Sequence, residues 1–189
     1  MPRVLGEKVM LREYQKEDLT YIREWVNDPE ITDNLSDIFL HAHPLNETEN
    51  FLHTILENKS DNQIYFVIAD KQTGNYIGQI DILRIDWKNR VAEFGIVIGK
   101  KDLLGKGIGT DAIKLLQYFV FERLNLNRLQ LSLHDYNERA YKCYLKCGFI
   151  EEGRSRQSFF INGHYTDRIF MGILRDEYNR LKKLQLQNK

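Results

Sequence analysis

Cysteine and proline are scarce in this chain, which has two cysteines and three prolines among 189 residues. So few thiols exclude the disulfide framework that staples many small secreted domains. The two cysteines, Cys143 and Cys147, lie four positions apart. Two thiols without a second pair of His or Cys ligands make a poor metal site. We therefore expect reduced thiols, no bound metal and a cytoplasmic location.

The chain also lacks net charge and long apolar runs. Its 27 basic side chains balance 27 acidic ones, so no overall positive field points to nucleic acid or to an anionic membrane as a partner. We expect neither a signal peptide nor a membrane span. Apolar residues nevertheless make up 42% and aromatic residues 12% of the sequence, a composition that excludes a disordered chain and predicts one folded domain.

The sequence does contain a strand, a glycine-rich turn and a helix in direct succession. Residues 94–98 form an apolar, β-branched run that is typical of a buried strand. Gly105, Gly107 and Gly109 follow, and after Thr110 apolar residues recur at helical spacing. Glycine lets the backbone approach a ligand, and the first amides of a helix have no partners of their own. The pattern predicts an anion site, most naturally for phosphate, although a turn without a ligand fits it equally well.

A second motif decides between these two interpretations. The alternating glycines fit neither the nucleoside-triphosphate loop nor the dinucleotide fingerprint. Residues 137–149, however, read Asn-x-Arg-Ala-x-x-x-Tyr-x-Lys-x-Gly-Phe. The earlier Gly-Lys-Gly-Ile-Gly-Thr followed by this motif resembles the GNAT superfamily of acyl-CoA-dependent N-acyltransferases. The resemblance extends over about residues 8–178, and Leu104 departs from it because the family usually has Arg or Gln there.

The order of the expected elements agrees with the resemblance. We expect strands at residues 8–12, 63–70, 76–85, 94–98 and 128–133, and helices that begin near residues 16, 48, 110, 137 and 176. Asn162-Gly163 predicts the turn of a final hairpin. The resemblance implies a single α/β (α+β) domain over residues 1–189, with a core at about 8–178 and a polar tail at 179–189. Its mixed, mostly antiparallel sheet would be flanked by about four helices and splayed at the acyl-CoA site, between strands 94–98 and 128–133.

The resemblance also implies acetyl-CoA as the co-substrate, with direct transfer of its acetyl group to an amine. Amides of the glycine turn would hold the pyrophosphate, and backbone N–H groups of the central strand would hold the pantetheine arm. Asn137 would bond that arm and cap its own helix. The cofactor-binding residues expected in this way are Ile96, Val97, Ile98, Leu104, Gly105, Lys106, Gly107, Ile108, Gly109, Thr110, Asn137 and Lys146.

Two side chains are candidates for the proton transfers. Glu93, at the start of the central strand, could take a proton from the attacking amine directly or through water. A structural charge paired with Arg84 or Arg90 is an equal alternative. Tyr144 falls at the tyrosine of the second motif, and a phenol is a suitable acid for a leaving thiolate. Its alternative is a packing aromatic on an amphipathic helix.

The acceptor is expected to be a small-molecule or peptide amine. Residues 159–165, Phe-Phe-Ile-Asn-Gly-His-Tyr, resemble the spermidine N-acetyltransferases, and the ending also resembles the ribosomal-protein N-terminal acetyltransferases. Residues 13–37 carry eight acids and two bases. If the acids in the second half of this stretch face the groove that binds the amine, they favour a polyamine as the substrate. The alternative is that they lie on a solvated helix face. Those acids are Asp28, Glu30, Asp33 and Asp37.

Three further questions stay open at the level of sequence. An amino-sugar or metabolite acetyltransferase fits the same motifs, as does a non-catalytic acyl-CoA-binding module, although the latter needs neither Glu93 nor Tyr144. A homo-oligomer is compatible with everything above. His41 and His43 form a His-x-His pair, but no third ligand is evident beside them, so a polar loop is the expectation.

Overall fold

The computed structural model describes residues 3–57 and 60–187. Its eight strands are Val4–Leu5 (β1), Val9–Arg12 (β2), Ile64–Asp70 (β3), Tyr76–Asp86 (β4), Val91–Ile98 (β5), Arg128–His134 (β6), Ile150–Ile161 (β7) and His164–Leu174 (β8). The α-helices are Asp18–Trp25 (α1), Pro29–Thr32 (α2), Leu45–Leu56 (α3), Ile108–Tyr118 (α4), Glu138–Lys146 (α5) and Arg175–Gln187 (α6). The described ranges thus contain six α-helices where about four were expected. None of these helices combines the length and apolar content that a membrane crossing requires.

All eight strands form one sheet in the order β1-β2-β3-β4-β5-β6-β8-β7. Every neighbouring pair is antiparallel except β5 and β6, which run parallel. The parallel pairing covers only residues 91–93 of β5 and 128–130 of β6. Beyond that point the two strands separate, so the expected splay between them is confirmed.

Helices cover both faces of this sheet. Successive residues of β3 point to opposite faces, and Phe66 and Ile68 join one buried cluster while Val67 and Ala69 join the other. The first cluster includes the apolar faces of α4 and α5, and the second those of α1 and α3. A strand that packs against helices on both faces has a nearly continuous apolar sequence, and this pattern predicted β3 and β5.

A buried ion pair fixes α1 against the sheet. The Arg12 guanidinium, at the end of β2, donates to both carboxylate oxygens of Asp18, at distances of 2.9 and 2.7 Å. Both side chains are almost fully buried. Removing one partner of such a pair leaves an uncompensated buried charge. The pair therefore fixes the helix that carries Ile22 and Trp25 toward the site.

Three boundaries differ from those expected. A short helix that was not expected, α2, follows the first one: the Asp28 side chain accepts from the Glu30 N–H and caps it, and Pro29 occupies its first position, which proline suits. Helix α3 begins at Leu45, directly after Pro44, rather than near residue 48. The tail expected at residues 179–189 lies within α6 as far as residue 187, and residues 188–189 lie outside the described ranges.

Local turn and capping signals were more reliable. Asn162 and Gly163 have φ of 49° and 86°, which is the left-handed conformation that a two-residue hairpin turn needs. The Asn137 side chain accepts from the Ala140 N–H at 3.2 Å and caps α5. Both expectations are confirmed.

Candidate functional site

A cleft of about 1180 Å³ passes through the splay between β5 and β6. On one side it is bounded by α1, α3 and the segment between α2 and α3, and on the other by α4 and α5. All the residues expected to bind the cofactor or to catalyse line this cleft, except Lys106. The structure thus brings together Glu93, Ile96, Val97, Ile98, Leu104, Gly105, Gly107, Ile108, Gly109, Thr110, Asn137, Tyr144 and Lys146.

The glycine turn has the shape that an anion requires. Gly105 and Gly107 have φ of 74° and 82°, so they turn the chain into α4 through conformations that other residues rarely adopt. A Cβ atom placed on Gly105 would meet nothing within 4 Å. Residues 107–110 line the cleft, and within the described residues the amides of residues 108–110 have no hydrogen-bond partner, which is the arrangement that binds phosphate.

Lys8 is a cation at this turn that sequence analysis missed. Its Nζ atom donates to the carbonyl oxygen of Lys106 at 2.7 Å. The Asp111 carboxylate, in the first turn of α4, accepts from the Lys8 and Val9 N–H groups at 2.7 and 3.0 Å. These contacts tie the turn to β2. Lys106 contributes its carbonyl oxygen to this contact but does not line the cleft.

The outer half of β5 offers an unpaired backbone edge. Residues 94–98 pair with β4 on one side, but on the other side β6 has already diverged. Side chains of Ile96, Val97 and Ile98 line the cleft beside this edge. An extended chain with amide groups, such as a pantetheine arm, can pair with such an edge as an added strand would.

Tyr144 lies on α5 with its ring buried and 7% of its surface exposed. Phe94 and Phe149 meet the ring edge-on, with centroids 6.1 and 5.9 Å away. Burial raises the pKa of the Tyr144 hydroxyl well above its usual value, so the phenol stays protonated at neutral pH. Within the described residues the hydroxyl has no hydrogen-bond partner, and Tyr144 lines the cleft.

Glu93 is half-buried and lines the cleft at the point where β5 and β6 begin to separate. The alternative role, a structural charge paired with Arg84 or Arg90, is not supported, because neither forms an ion pair with Glu93 in the described part of the chain. Arg90 instead donates to the Asn125 carbonyl at 2.5 and 2.9 Å. The Glu93 carboxylate is thus available to a ligand.

Asp81, on β4, is a second carboxylate at the cleft that sequence analysis missed. It is 6% exposed and accepts from the Phe66 N–H at 3.0 Å, from Gln79 at 3.2 Å and from the Tyr14 hydroxyl at 3.3 Å. Burial raises the pKa of this carboxyl to about 7. Gly95 lies directly opposite on β5 and has no side chain to cover it. The signal was an acid within an apolar strand, Ile80-Asp81-Ile82.

The family of the chain is decided by a match to the model of the acetyltransferase (GNAT) domain over residues 8–150. The chain belongs to the GNAT acetyltransferase family. It is an acetyl-CoA-dependent N-acetyltransferase, and the open glycine turn and the free strand edge both fit that co-substrate.

Several relatives of this GNAT acetyltransferase carry substrate names. Spermidine N(1)-acetyltransferase of Vibrio cholerae is 31% identical, with 92% of this chain and 97% of that protein covered. The protein of the same name from Escherichia coli K12 is 33% identical, with 92% and 89% covered. YdaF of Bacillus subtilis, provisionally named a ribosomal N-acetyltransferase, is 35% identical but only 56% of this chain and 57% of that protein are covered.

Among solved structures, the spermidine N-acetyltransferase of Vibrio cholerae in complex with CoA and spermine is similar in fold. Its TM-score to this GNAT acetyltransferase is 0.79, with 30% sequence identity. The match covers 91% of this chain and 98% of that one. The α/β fold expected from the sequence is confirmed.

The two thiols of the acetyltransferase differ in character, which sequence analysis did not foresee. Both are free, and Cys143 is half-buried in the cleft with its Sγ 3.3 Å from the Thr110 hydroxyl oxygen. The neighbouring Cys147 thiol and the contact with the Thr110 hydroxyl lower the pKa of the Cys143 thiol. Cys147 is buried and its pKa is raised.

We expect Cys143 to be alkylated selectively, and acetyl-CoA to slow the reaction. Cys143 is half-buried and lines the cleft, whereas Cys147 is buried, and a lowered pKa favours the thiolate, which is the reactive form. Mass spectrometry after iodoacetamide treatment measures both sites. Equal labelling of Cys143 and Cys147, or no protection by acetyl-CoA, would contradict the placement of Cys143 beside the cofactor.

The side of the cleft bounded by α1, α3 and the segment between α2 and α3 is here called the acceptor side, and its walls are mostly aromatic. Trp25, Phe39, Phe51 and Tyr65 line this part of the cleft. His134, at the end of β6, is 5% exposed and also lines it. Its Nε2 atom donates to a backbone carbonyl 2.9 Å away in the segment that follows α2, and its Nδ1 atom is buried without a partner in the described residues.

Two of the acids expected to face the acceptor groove have another role. Lys101 binds the carboxylates of Asp28 and Glu30, each at 2.8 Å. Neither these two acids nor Asp33 and Asp37 line the cleft. The condition that these acids face the groove is therefore not met, and Lys101 neutralises part of the charge of two of them; the attraction of a polycation by this stretch stays a prediction.

Burial of Asp81 should make the free energy of unfolding depend on pH. Its folded pKa of about 7 lies above the ordinary value of 3.8, so between these values the folded state binds more protons than the unfolded state. Stability contributed through this group therefore falls as pH rises from about 4 to 7, by up to about 1.4 kcal/mol per pH unit.

We expect Asp81→Asn to remove this slope. Urea unfolding across this pH range gives the free energy of unfolding of both proteins as a function of pH. The prediction concerns the slopes of the two curves and not a constant difference between them. Asp70→Asn is the control, because hydrogen bonds from Thr73 lower the pKa of that exposed carboxyl and its contribution changes only below about pH 4. Parallel curves for wild type and Asp81→Asn would mean that Asp81 is charged throughout.

Proposed function

We propose that the acceptor is a polyamine of the spermidine type, acetylated on a primary amine. The observation that carries the proposal is the acceptor side of the cleft, where Asp81 and Glu93 lie on one face of the sheet among aromatic walls. A polyamine is an aliphatic chain with several cationic nitrogens, and it needs both kinds of surface. The names of the full-length relatives from Vibrio cholerae and Escherichia coli support the same substrate class.

In the proposed mechanism the first turn of α4 holds the pyrophosphate and the β5 edge aligns the pantetheine. Backbone N–H groups of residues 96–98 are placed to stabilise the oxyanion that develops on the thioester oxygen. Lys8 adds positive charge beside the phosphates. Asn137 and Lys146, on the neighbouring helix, contribute side-chain contacts to the arm.

The chemical step then needs three proton transfers, two from the substrate nitrogen and one to the leaving thiolate. Glu93 takes a proton from the substrate ammonium, directly or through water, which frees the nitrogen lone pair. The nitrogen attacks the carbonyl carbon, forming the C–N bond as the C–S bond breaks. Tyr144 gives its hydroxyl proton to the leaving thiolate, and the second proton that the nitrogen must lose to become an amide passes to Tyr144 through water, while Glu93 releases its proton to the solvent. Asp81 pairs with a second nitrogen of the substrate and becomes charged as that cation arrives.

The proposal is tested by comparing kcat/KM for spermidine, for a peptide with a neutral N-terminal sequence and for glucosamine, with radiolabelled acetyl-CoA. We expect spermidine to be preferred, and its KM to rise with salt because the attraction between charges is screened. Asp81→Asn and Glu93→Gln should weaken the use of spermidine, whereas Glu24→Gln, an exposed change outside the cleft, should not.

Each contrary outcome would favour a different acceptor. Acetylation of the peptide but not of spermidine would favour a ribosomal-protein N-terminal acetyltransferase, as the name of YdaF suggests. A preference for glucosamine would favour an amino-sugar enzyme. Turnover on none of the three amines would point to an acceptor of another class. A cytoplasmic location and the number of subunits stay predictions.

A further inference from the structure

A second cluster of ligating side chains lies beside the acceptor end of the cleft. His41, His43 and Glu47 each offer one ligand atom, and these three atoms lie within 4.8 Å of one another. The His-x-His pair was visible in the sequence, but its third member was not recognised. Glu47 becomes a neighbour because α3 begins at Leu45 and turns the carboxylate back to within 3.0 Å of the His43 ring.

The orientation of the His43 ring turns one nitrogen toward Glu47. Its Nε2 atom lies 2.8 Å from the carbonyl oxygen of Ile38, and a carbonyl only accepts, so Nε2 carries the hydrogen. The other nitrogen, Nδ1, lies 3.0 Å from a Glu47 oxygen. These two atoms therefore lie side by side, as two ligands of one metal ion do.

His43 is also held in place more firmly than an ordinary loop residue. Its N–H donates to the Asn27 side chain at 2.7 Å, and its carbonyl accepts from Asn27 at 3.0 Å and from Arg23 at 2.7 Å. The ring packs against Phe39 with centroids 5.3 Å apart. A histidine that binds a metal through one nitrogen and donates from the other to a backbone carbonyl is the usual arrangement in metal sites.

We propose that His41, His43 and Glu47 bind one divalent transition-metal ion, with water completing its coordination. Two imidazole nitrogens and one carboxylate suit Zn²⁺, whereas Mg²⁺ and Ca²⁺ prefer oxygen ligands alone. His41 is exposed and its ring already lies 5.1 Å from that of His43. The ion would join the loop before α3 to the first turn of that helix, and two of its ligands, His43 and Glu47, also line the acceptor part of the cleft.

Isothermal titration of the full chain, without a polyhistidine tag, with Zn²⁺ tests the proposal. We expect one ion per chain and a loss of affinity of at least about 10-fold in His41→Ala and in Glu47→Gln, since even outer-shell changes cost about 10- to 100-fold. His41 is the better site for mutation because it is exposed. His53→Ala is the matched control: His53 pairs with Glu57 at 3.4 Å with the same spacing, but no third ligand joins them in the described residues.

Co²⁺ distinguishes this site from the two thiols. Binding at the proposed site gives weak visible bands without sulfur-to-metal charge transfer, and His41→Ala abolishes them. Zn²⁺ should also raise the melting temperature of the wild type and of His53→Ala, but not of His41→Ala. A sulfur charge-transfer band, equal affinity in wild type and His41→Ala, or an equal loss in His53→Ala would overturn the proposal.

Discussion

Replacing Tyr144 by phenylalanine is expected to lower kcat by about 10²–10⁴-fold, the usual range for loss of a general acid. The change removes one oxygen atom that has no hydrogen-bond partner in the described residues. The ring keeps its contacts with Phe94 and Phe149. Folding and acetyl-CoA binding should therefore survive, and the effect should appear in kcat at an unchanged dissociation constant for acetyl-CoA.

Tyr141→Phe is the matched control for this experiment. Tyr141 lies one turn earlier on α5, and its hydroxyl donates to Glu151 at 2.8 Å, away from the reaction. Its loss should affect stability slightly and turnover little. Steady-state kinetics with a saturating amine compare the three proteins. Wild-type kcat in Tyr144→Phe would make the tyrosine a packing residue and would leave the protonation of the thiolate to water.

Replacing Gly109 by valine should weaken acetyl-CoA binding by about 10- to 100-fold. Each charge-assisted hydrogen bond from an amide to a phosphate contributes about 1.5–3 kcal/mol, and a side chain in the first turn of α4 keeps the phosphate from reaching the amides. Gly109 does not have a positive φ, and a Cβ atom there would lie 3.7 Å from Cys143 Sγ, an ordinary contact. The helix should therefore tolerate the change.

Gly107 is a poorer position for this test than its place in the motif suggests. Its φ of 82° strains any residue with a side chain, so a Gly107 variant would confuse lost binding with a distorted turn. Gly153→Val is the appropriate control, because a Cβ atom there meets nothing within 4 Å and the residue lies on β7, outside the cleft. If calorimetry gives equal acetyl-CoA affinities for Gly109→Val and Gly153→Val, the phosphates do not bind at this turn.

Expectations that depended on short segments held, because the physical cause lies within the segment. The glycine turn before α4, the Asn137 cap and the Asn162-Gly163 hairpin each need particular residues at adjacent positions, and the chain has them. The splay between β5 and β6 was also anticipated, but from the resemblance to a family and not from the residues of the two strands.

Expectations about charges were less successful, because a charge acts on whatever the fold brings near it. Asp28 and Glu30 are close in sequence to other acids, yet their partner is Lys101, which is about 70 residues away. Lys8 reaches the glycine turn from nearly 100 residues away. No local pattern identifies such partners.

The sequence by itself thus determined the proposed cofactor side of this acetyltransferase, because the groups proposed to hold acetyl-CoA are largely backbone groups whose geometry follows from local glycine, cap and strand patterns. Tertiary structure alone decided the acceptor side. Asp81 is open to the cleft only because the register of β4 on β5 sets it opposite Gly95, and the His134 ring is oriented by a carbonyl 99 residues away. Those contacts depend on strand register and helix packing, which join segments that share no local pattern.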